Sequence, residues 1–344
     1  MKITQVVLPG IVEPESLQVV TRQLPDPGVG EARVRVEATG VSFAEQQMRR
    51  GKYFDQPPFP FVPGYDLVGT VEAVGRDTED TLIGARVAAL TKTGAWADHA
   101  VLDTRRLVRV PDGIDPAEAE SVVVNGVTAW RLLHQCARTQ PGQTAVVLGA
   151  AGGVGSTLVQ LARLAGVAVI GVASSAQIDA VRALGATPLD YRQDNVKAKV
   201  LELVPEGVAA VFDHVGGDGL FDSWAMLRTD GILVSYGTAA TLDVSGDPAR
   251  PVMELIERLA TMNADPSPRR ARFFNLWEGV EDAVAFDMRL RDDLTEVFTL
   301  LAAGALQAHV AARCPLREAG AALRLAETRG LVGKVVLVPD RWMF

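Results

Sequence analysis

One segment sets the architecture of this chain: Ala145-Val-Val-Leu-Gly-Ala-Ala-Gly-Gly-Val-Gly-Ser156. It has the pattern of a short apolar strand, a glycine turn, and a helix that continues with one apolar face to Ala165. Within the turn, Ala150-x-Gly152-x-x-Gly155 has the spacing typical of dinucleotide-binding turns, with alanine in place of the first glycine. Small residues let the backbone approach a pyrophosphate, and the helix N-terminus offers free N–H groups. The segment therefore predicts a nucleotide site, with a tight turn of purely structural role as the alternative.

The middle of the chain repeats this alternation of strand and helix. Continuous apolar strands that alternate with helices are typical of a parallel sheet covered on both faces. Residues 121–262 are therefore predicted to form a doubly wound parallel-sheet domain. Its predicted strands are 144–149, 167–173, 208–214 and 231–237, and its predicted helices include 176–184 and 220–227.

The two ends of the chain have a different pattern, with half-buried strands between Gly- and Pro-rich turns. Residues 1–120 and 263–344 are predicted to form a second domain, into which the sheet domain is inserted. The predicted elements of this second domain are strands 31–37, 67–74, 85–90 and 333–338, helices 294–303 and 319–328, and an exposed loop at 265–270.

Composition excludes several classes of function. The chain has 344 residues, more than one hydrophobic core usually serves, so two domains are expected. A net charge of −8 without a basic block argues against nucleic-acid binding. No apolar run is long enough to span a bilayer, and no signal peptide is visible. Two cysteines far apart in sequence, Cys136 and Cys314, are typical of a reduced interior. A cytoplasmic protein is expected.

These features together resemble the medium-chain dehydrogenase/reductase superfamily, in its zinc-free quinone oxidoreductase branch, from about Leu17 to Pro339. The run Pro63–Gly69 and the phrase Ala89–Gly94 are most similar to the synaptic-vesicle-membrane-protein type. The resemblance implies a GroES-like, partly open β-barrel joined to a Rossmann domain, and a homodimer. The segments that carry it are Gly40–Glu45, Met48–Tyr53, Pro63–Gly69, Ala150–Gly155, Asp213–Gly217 and Val332–Leu337.

The positions that hold zinc in related dehydrogenases lack suitable ligands here. The resemblance places Ser42, or its neighbour Phe43, at a ligand cysteine and Tyr65-Asp66 at a His-Glu pair, and the cysteines that bind a structural zinc are missing. A catalytic zinc needs about three good protein ligands. No metal is therefore expected. Without a Lewis acid, reduction of a quinone or a conjugated C=C bond is favoured over carbonyl–alcohol chemistry.

The end of the second predicted strand, Val172-Ala-Ser-Ser175, has no acidic residue. An Asp or Glu there accepts from the ribose 2′-OH of NAD and repels the 2′-phosphate of NADP, so its absence favours NADPH. Related NADP enzymes add a hydroxyl, a lysine and a tyrosine. Ser174 and Tyr191 fit the first and last, whereas Ile178 stands at the lysine position. Arg192 or Arg182 are alternatives for the charge, and capping of the following helix is the structural alternative for Ser174.

The resemblance also assigns residues around the nicotinamide. It assigns Thr128 to the region of the nicotinamide and its ribose. The alternative for Thr128 is a helix cap or a core hydroxyl. The turns Val215-Gly-Gly217 and Ser235-Tyr-Gly237 follow strands, where ligands bind in open α/β sheets. The full set of candidate cofactor residues is Thr128, Ala150, Gly152, Gly153, Val154, Gly155, Ser174, Tyr191, Val215, Gly216, Tyr236 and Gly237.

The substrate side departs from known quinone reductases. Their pocket motif begins with asparagine and has an aspartate and two tyrosines, and this chain has Ser42, Glu45, Gln47 and Tyr53 at those places. Tyr53 is the first candidate for a proton or oxyanion donor and Ser42 the second. A loop tyrosine packed on Pro57-Pro58 is the alternative for Tyr53. Glu45 is interpreted as a solvated or structural carboxylate rather than a catalytic acid.

The sequence thus predicts an NADPH-dependent, zinc-independent reductase of a small apolar quinone or α,β-unsaturated carbonyl compound. Two alternatives remain open at this point. One is a tailoring enoyl reductase for a polyketide-like substrate, and the other is a nucleotide-binding homologue that has lost turnover and has a regulatory role.

Overall fold

The computed structural model describes residues 1–242, 244, 246–247, 249–328 and 330–339. The chain divides into two units. The first contains residues 1–127, 279–329 and 333–344, and the second contains residues 128–278 and 330–332. The fold class predicted from the sequence, a GroES-like domain with a Rossmann-type parallel-sheet domain, is confirmed.

The described residues form fifteen strands and ten α-helices. The strands are β1 Lys2–Val7, β2 Gln18–Gln23, β3 Glu31–Val41, β4 Asp66–Val74, β5 Arg86–Leu90, β6 His99–Asp103, β7 Val108–Arg109, β8 Thr144–Leu148, β9 Ala168–Ala173, β10 Thr187–Asp190, β11 Val208–Asp213, β12 Leu227–Ser235, β13 Arg270–Phe273, β14 Val310–Pro315 and β15 Lys334–Val338. The helices are α1 Phe43–Arg49, α2 Pro116–Ser121, α3 Val123–Trp130, α4 Gly153–Leu164, α5 Ile178–Ala183, α6 Val196–Leu203, α7 Leu220–Ala225, α8 Arg250–Asn263, α9 Ala283–Ala302 and α10 Ala319–Ala326.

The second unit contains a six-stranded parallel sheet with the order β10-β9-β8-β11-β12-β13. Strand order therefore reverses between β8 and β11, and ligands in such sheets bind outside the carboxyl ends of the strands at that reversal. The sheet is built from the predicted apolar runs, whose residues Val146, Val211 and Leu233 are fully buried. The glycine turn follows β8, on one side of the reversal, and Asp213 ends β11 on the other.

The sixth strand of this sheet, β13, lies beyond the predicted domain boundary at 262. The predicted loop 265–270 ends where β13 begins, and β13 pairs in parallel with β12. In the sequence Arg-Ala-Arg-Phe of this edge strand only Ala271 is buried, so it lacks the continuous apolar run that predicted the other strands.

The first unit is built around the long strand β3. It pairs with β4 along one side, and with β6 and then β15 along the other, in antiparallel register. The sheet order is β14-β15-β3-β4-β5-β7, with β6 attached to β3. Because β3 has two successive partners on one side, the sheet curves around a core that includes Val34, Leu67 and Val87. Within the described ranges, no helix is both long and apolar enough to cross a membrane.

Candidate active site

The glycine turn after β8 brings the start of α4 against the end of the strand. A Cβ at Gly155 would lie 2.1 Å from the carbonyl oxygen of Gly149, so only glycine permits this approach. Gly152 immediately precedes α4, and a Cβ there would meet the same oxygen only at 3.4 Å. Ala150 is buried, and Gly153 and Val154 open the helix, where N–H groups have no partner within the helix. The turn therefore places the unpaired N–H groups of a helix N-terminus at the end of β8, a feature that anion sites share.

The turn after β11 is held by the buried carboxylate of Asp213. Its Oδ1 accepts hydrogen bonds from the N–H groups of Val215 at 2.8 Å and Gly216 at 2.9 Å, and its Oδ2 accepts one from Ser223 Oγ at 2.7 Å. Gly216 has a φ of +68°, which favours glycine. These bonds fix Val215 and Gly216, two candidate cofactor residues, in one conformation.

His214 joins the two turns. Its Nδ1 lies 3.1 Å from the carbonyl oxygen of Leu148, and its ring occupies the space where a Cβ of Gly149 would stand. Burial lowers the pKa of His214, and this effect outweighs the nearby charge of Asp213 and the Leu148 carbonyl, so the imidazole is neutral at pH 7. No local sequence pattern marks this residue, because only the pairing of β8 with β11 shows where it lies.

Tyr236 and Gly237 follow β12 and lie beside His214. The Tyr236 ring centroid is 6.0 Å from that of His214, and a Cβ at Gly237 would lie 2.7 Å from the His214 carbonyl oxygen. Burial, and then the charge of Asp213, raise the pKa of Tyr236 above its usual value. The structure thus brings together the glycine turn and four candidates that the sequence analysis took from distant segments. Thr128 is buried on α3, and its role at the nicotinamide stays a prediction.

Ser174 and Tyr191 stand at the ends of neighbouring strands, β9 and β10. The N–H of Tyr191 donates to the carbonyl of Ala173 at 3.2 Å, while the Ser174 hydroxyl is buried and donates to Gln177 Oε1 at 2.8 Å. The Arg192 guanidinium lies 5.6 Å from the centroid of the Tyr191 ring. Arg182 is instead paired with Asp179. Of the two arginines left open by the sequence, Arg192 is therefore the one next to a predicted cofactor residue.

In the first unit, Tyr53 is buried and its hydroxyl lies 2.9 Å from that of Tyr65. The two rings pack edge to face, with centroids 6.3 Å apart. The Tyr53 ring also packs on Phe54, at 5.1 Å between centroids. Either tyrosine can be the donor of the shared hydrogen bond.

Ser42 is the N-cap of α1. Its hydroxyl accepts a hydrogen bond from Ala44 N at 3.2 Å, and its own N–H donates to Glu45 Oε2 at 2.8 Å. The Ser42 hydroxyl also bonds to the same oxygen of Glu45, which completes a capping box. Glu45 is only 1% exposed. Its interpretation as a solvated carboxylate is therefore wrong, and its structural role as part of the cap is observed.

A buried ionic cluster lies in the same unit. The Lys334 ammonium donates to Asp66 Oδ2 at 2.7 Å and to Glu120 Oε1 at 2.8 Å. A Cβ at Gly40 would lie 2.1 Å from Lys334 Cε, so any larger residue at position 40 would collide with the lysine side chain. Burial raises the pKa of Glu120 well above its usual range. Burial alone would lower the pKa of Lys334, but Asp66 and Glu120 more than offset it, and the pKa lies above its usual value.

Two family models match the chain. The one described as alcohol dehydrogenase GroES-like domain matches residues 28–112, and the one described as zinc-binding dehydrogenase matches residues 184–337. The human synaptic vesicle membrane protein VAT-1 homolog is 30% identical over 325 residues, which cover 92% of this chain and 80% of that protein. A 2-haloacrylate reductase of Burkholderia sp. is 31% identical over 324 residues, with 91% of this chain and 92% of that protein covered.

A quinone oxidoreductase of Pseudomonas aeruginosa is 38% identical over 231 residues, which cover 66% of this chain and 71% of that protein. Among solved structures, a mycobacterial protein in complex with NADPH is 30% identical and superposes with a TM-score of 0.84, covering 98% of this chain and 100% of that one. The chain belongs to the medium-chain dehydrogenase/reductase superfamily. Within the superfamily it falls in the zinc-independent quinone oxidoreductase branch that includes the VAT-1 homologues, as the sequence predicted, and it is an oxidoreductase.

The residues at the zinc positions of this superfamily are engaged in other contacts here. Ser42 caps α1, Tyr65 is hydrogen-bonded to Tyr53, and Asp66 is bound to Lys334. Across the part of the chain that the structure describes, no three or more His, Cys, Asp or Glu side chains are grouped as a metal would require.

Proposed function

We propose that this protein is an NADPH-dependent reductase of quinones or of the conjugated C=C bond of α,β-unsaturated carbonyl compounds. The observation that carries the proposal is the replacement of zinc-ligand positions by hydroxyl groups, with Tyr53 and Tyr65 bonded to each other and Ser42 bonded to Glu45. Hydroxyl donors suit an oxyanion that forms after hydride addition to a conjugated system. The similarity to a quinone oxidoreductase and to a 2-haloacrylate reductase supports these two substrate classes.

The residues of the second unit fit a dinucleotide. The turn Ala150–Gly155 and the N-terminus of α4 would hold the pyrophosphate, and Val215, Gly216, Tyr236 and Gly237 would line the nicotinamide side, with Thr128 at the ribose. Ser174, Tyr191 and Arg192 would hold the 2′-phosphate. When bound, NADPH supplies a hydride to the conjugated system, and the protein orients the reacting groups. A mycobacterial relative with NADPH bound supports this cofactor.

The first unit would supply the polar groups for the substrate. A tyrosine hydroxyl at neutral pH is a protonated donor, because the ordinary pKa of tyrosine is about 10. Tyr53, with its ring fixed between Phe54 and Tyr65, donates a hydrogen bond to the carbonyl oxygen of the substrate as negative charge develops there. The apolar surroundings of the pair strengthen such a bond, since competing water is excluded.

The experiment that tests this function is steady-state NADPH oxidation with three acceptors: an ortho-quinone, an α,β-unsaturated ketone, and the corresponding saturated ketone. We expect turnover of the first two and none of the third, since the residues at the zinc positions are poor ligands for a Lewis acid that would polarise an isolated carbonyl. Turnover of the saturated ketone alone would contradict the proposal. Tight NADPH binding without turnover of any acceptor would favour the alternative of a nucleotide-binding homologue.

The purified protein is expected to contain no stoichiometric zinc, because Ser42, Tyr65 and Asp66 are a poor ligand set and are already engaged. Elemental analysis of the protein, before and after treatment with a chelator, measures this. Activity should be the same in both samples. About one zinc per chain, lost together with activity on chelation, is the result that contradicts the prediction.

Cofactor preference offers a test with a matched control. Replacing Arg192 with alanine should weaken NADPH binding by about 5- to 30-fold, because a partly screened charge-assisted bond to the 2′-phosphate is lost. NADH, which has no such phosphate, should bind as before. The control is Arg182→Ala, since Arg182 is paired with Asp179. Dissociation constants from fluorescence titration check both variants, and equal effects of the two on NADPH would place the phosphate elsewhere.

A further inference from the structure

We propose that Glu45 is a stored acid, a neutral carboxyl group that delivers a proton through the Ser42 hydroxyl to the reduced substrate. The inference rests on the proposed function and adds a source for the proton that hydride addition requires. Ser42 is the group that touches the substrate, and Glu45 acts through it as a positioning and proton-supplying residue.

The burial of Glu45 is the first observation. A glutamate at the third position of a helix normally completes a capping box from a solvent-exposed position, where its charge also favours the helix N-terminus. Here the side chain is 1% exposed, whereas Ser42 is only half-buried. A cap alone does not require this burial, which costs free energy if the carboxyl is charged.

The hydrogen bonds of Glu45 are the second observation. Its Oε2 is bonded to Ser42 through both the N–H and the hydroxyl, while its Oε1 has no partner among the described residues. A buried carboxylate oxygen without a donor is costly, and the carbonyl oxygen of a neutral carboxyl is much less so. When Glu45 is neutral, its O–H donates to Ser42 Oγ. The Ser42 hydroxyl then keeps its own proton free to donate outward.

The surrounding charges favour the neutral form. The negative charge of Asp66 on β4 acts on Glu45, and Lys334 on β15 is already bound to Asp66 and to Glu120 on α2. On its own helix, Arg49 is bonded to Glu327. Burial raises the pKa of Glu45, with Asp66 adding to the shift, against the opposing effects of the Ser42 bonds and of Lys334.

The proposed step balances. Hydride from NADPH adds to the β-carbon of an enone, and the electron pair of the C=C bond becomes that of an enolate. The enolate carbon then takes the proton of Ser42 Oγ, forming a C–H bond, while Ser42 Oγ takes the proton of Glu45. The products are the saturated ketone, the oxidised cofactor and a Glu45 carboxylate, which regains a proton from solvent. For a quinone, the hydroquinone anion oxygen takes the same proton.

Glu45→Gln separates this role from capping, because glutamine also completes a capping box but has no acidic proton. We expect an unchanged melting temperature and a fall in kcat of about 10²-fold with the enone. The solvent isotope effect on kcat of this variant should also differ from that of the wild-type protein. Ser42→Ala should show the same loss of kcat, while Ser42→Thr, which keeps the hydroxyl and the cap, should retain most activity. Glu120→Gln is the matched control, since it removes a buried carboxyl that does not contact Ser42.

A second readout does not need turnover. The infrared spectrum of the cofactor-free protein at neutral pH should contain a protonated-carboxyl band that is absent from Glu45→Gln. Absence of this difference band overturns the proposal. A Glu45→Gln variant with the kcat and the solvent isotope effect of the wild-type protein overturns it as well. If the wild-type protein reduces no enone or quinone, the proposed function fails instead, and the infrared result still reports whether Glu45 holds a proton.

Discussion

Replacing Lys334 with methionine is expected to lower the free energy of unfolding by about 3–5 kcal/mol, because a buried charge loses its partner. Lys334 is 4% exposed and its ammonium bonds to both Asp66 and Glu120. Methionine has a similar length and is apolar, so the main change is the loss of the positive charge rather than of volume. The two carboxyl groups would then share a site without a cation.

The pH dependence of this variant follows from the same cluster. The pKa of Glu120 is already raised by burial, and loss of the ammonium raises it further. The unfolded chain ionises this group from about pH 4.3 upward, while the folded variant keeps it protonated to a higher pH. Unfolding therefore releases a proton in that window. The loss in the free energy of unfolding relative to the wild-type protein should therefore be smallest near pH 4 and grow as the pH rises toward 7.

Chemical denaturation at several pH values measures both effects. The control is the triple variant Lys334→Met, Asp66→Asn, Glu120→Gln, in which the cluster has no charge left and most of the lost stability should return. If Lys334→Met alone unfolds at the wild-type denaturant concentration, the cluster is not the stabilising ion pair that its geometry indicates. A triple variant as unstable as the single one would point to lost packing instead.

The parallel sheet could be predicted because its signal is local. Each central strand is buried on both faces, so it has a continuous apolar run, and helices separate the runs. The helix α9 begins at Ala283, eleven residues before the predicted start at Leu294. Its first turns include the exposed side chains Val284 and Met288, so the apolar face that marks a helix in sequence is less distinct there.

The site could be predicted only where one segment forms it. The turn 149–155 has its own spacing pattern, and the structure shows the close approach at Gly155 that this pattern indicates. The contact of His214 with Leu148 and the contact of Lys334 with Asp66 join residues that are 66 and 268 positions apart. No local pattern encodes such pairs. Such pairs follow from the order of the strands in the sheet. The sequence indicates the class of sheet but not the individual contacts.

Glu45 shows a second limit of the sequence. The spacing Ser42-x-x-Glu45 is that of a capping box, and the structure contains one. A capping box normally lies at the surface, so the residue was interpreted as solvated or structural. The structure shows it to be buried, and the charges that act on it, Asp66 on β4 and Lys334 on β15, come from distant segments. The same two residues in an exposed helix would have only the structural role.

Tyr53→Phe is expected to lower kcat with an enone by at least about tenfold, toward the 10²–10³ that one oxyanion donor typically contributes. The substitution removes one hydroxyl and keeps the ring that packs on Phe54 and Tyr65. The affinity for NADPH should stay near the wild-type value, because the candidate cofactor turns belong to other segments. A loss in kcat and kcat/KM together would indicate an interaction that forms in the transition state.

The matched control is Tyr65→Phe. It breaks the same hydrogen bond, 2.9 Å between the two hydroxyl oxygens, but leaves the Tyr53 hydroxyl in place. If that bond is only structural, the two variants should lose equal stability and equal turnover. If Tyr53 acts on the substrate, both variants should lose similar stability and only Tyr53→Phe should lose most of its kcat. Unchanged turnover in Tyr53→Phe would leave Tyr53 as a packing residue. The Ser42 hydroxyl would then be the remaining candidate donor for both the oxygen and the carbon of the enolate.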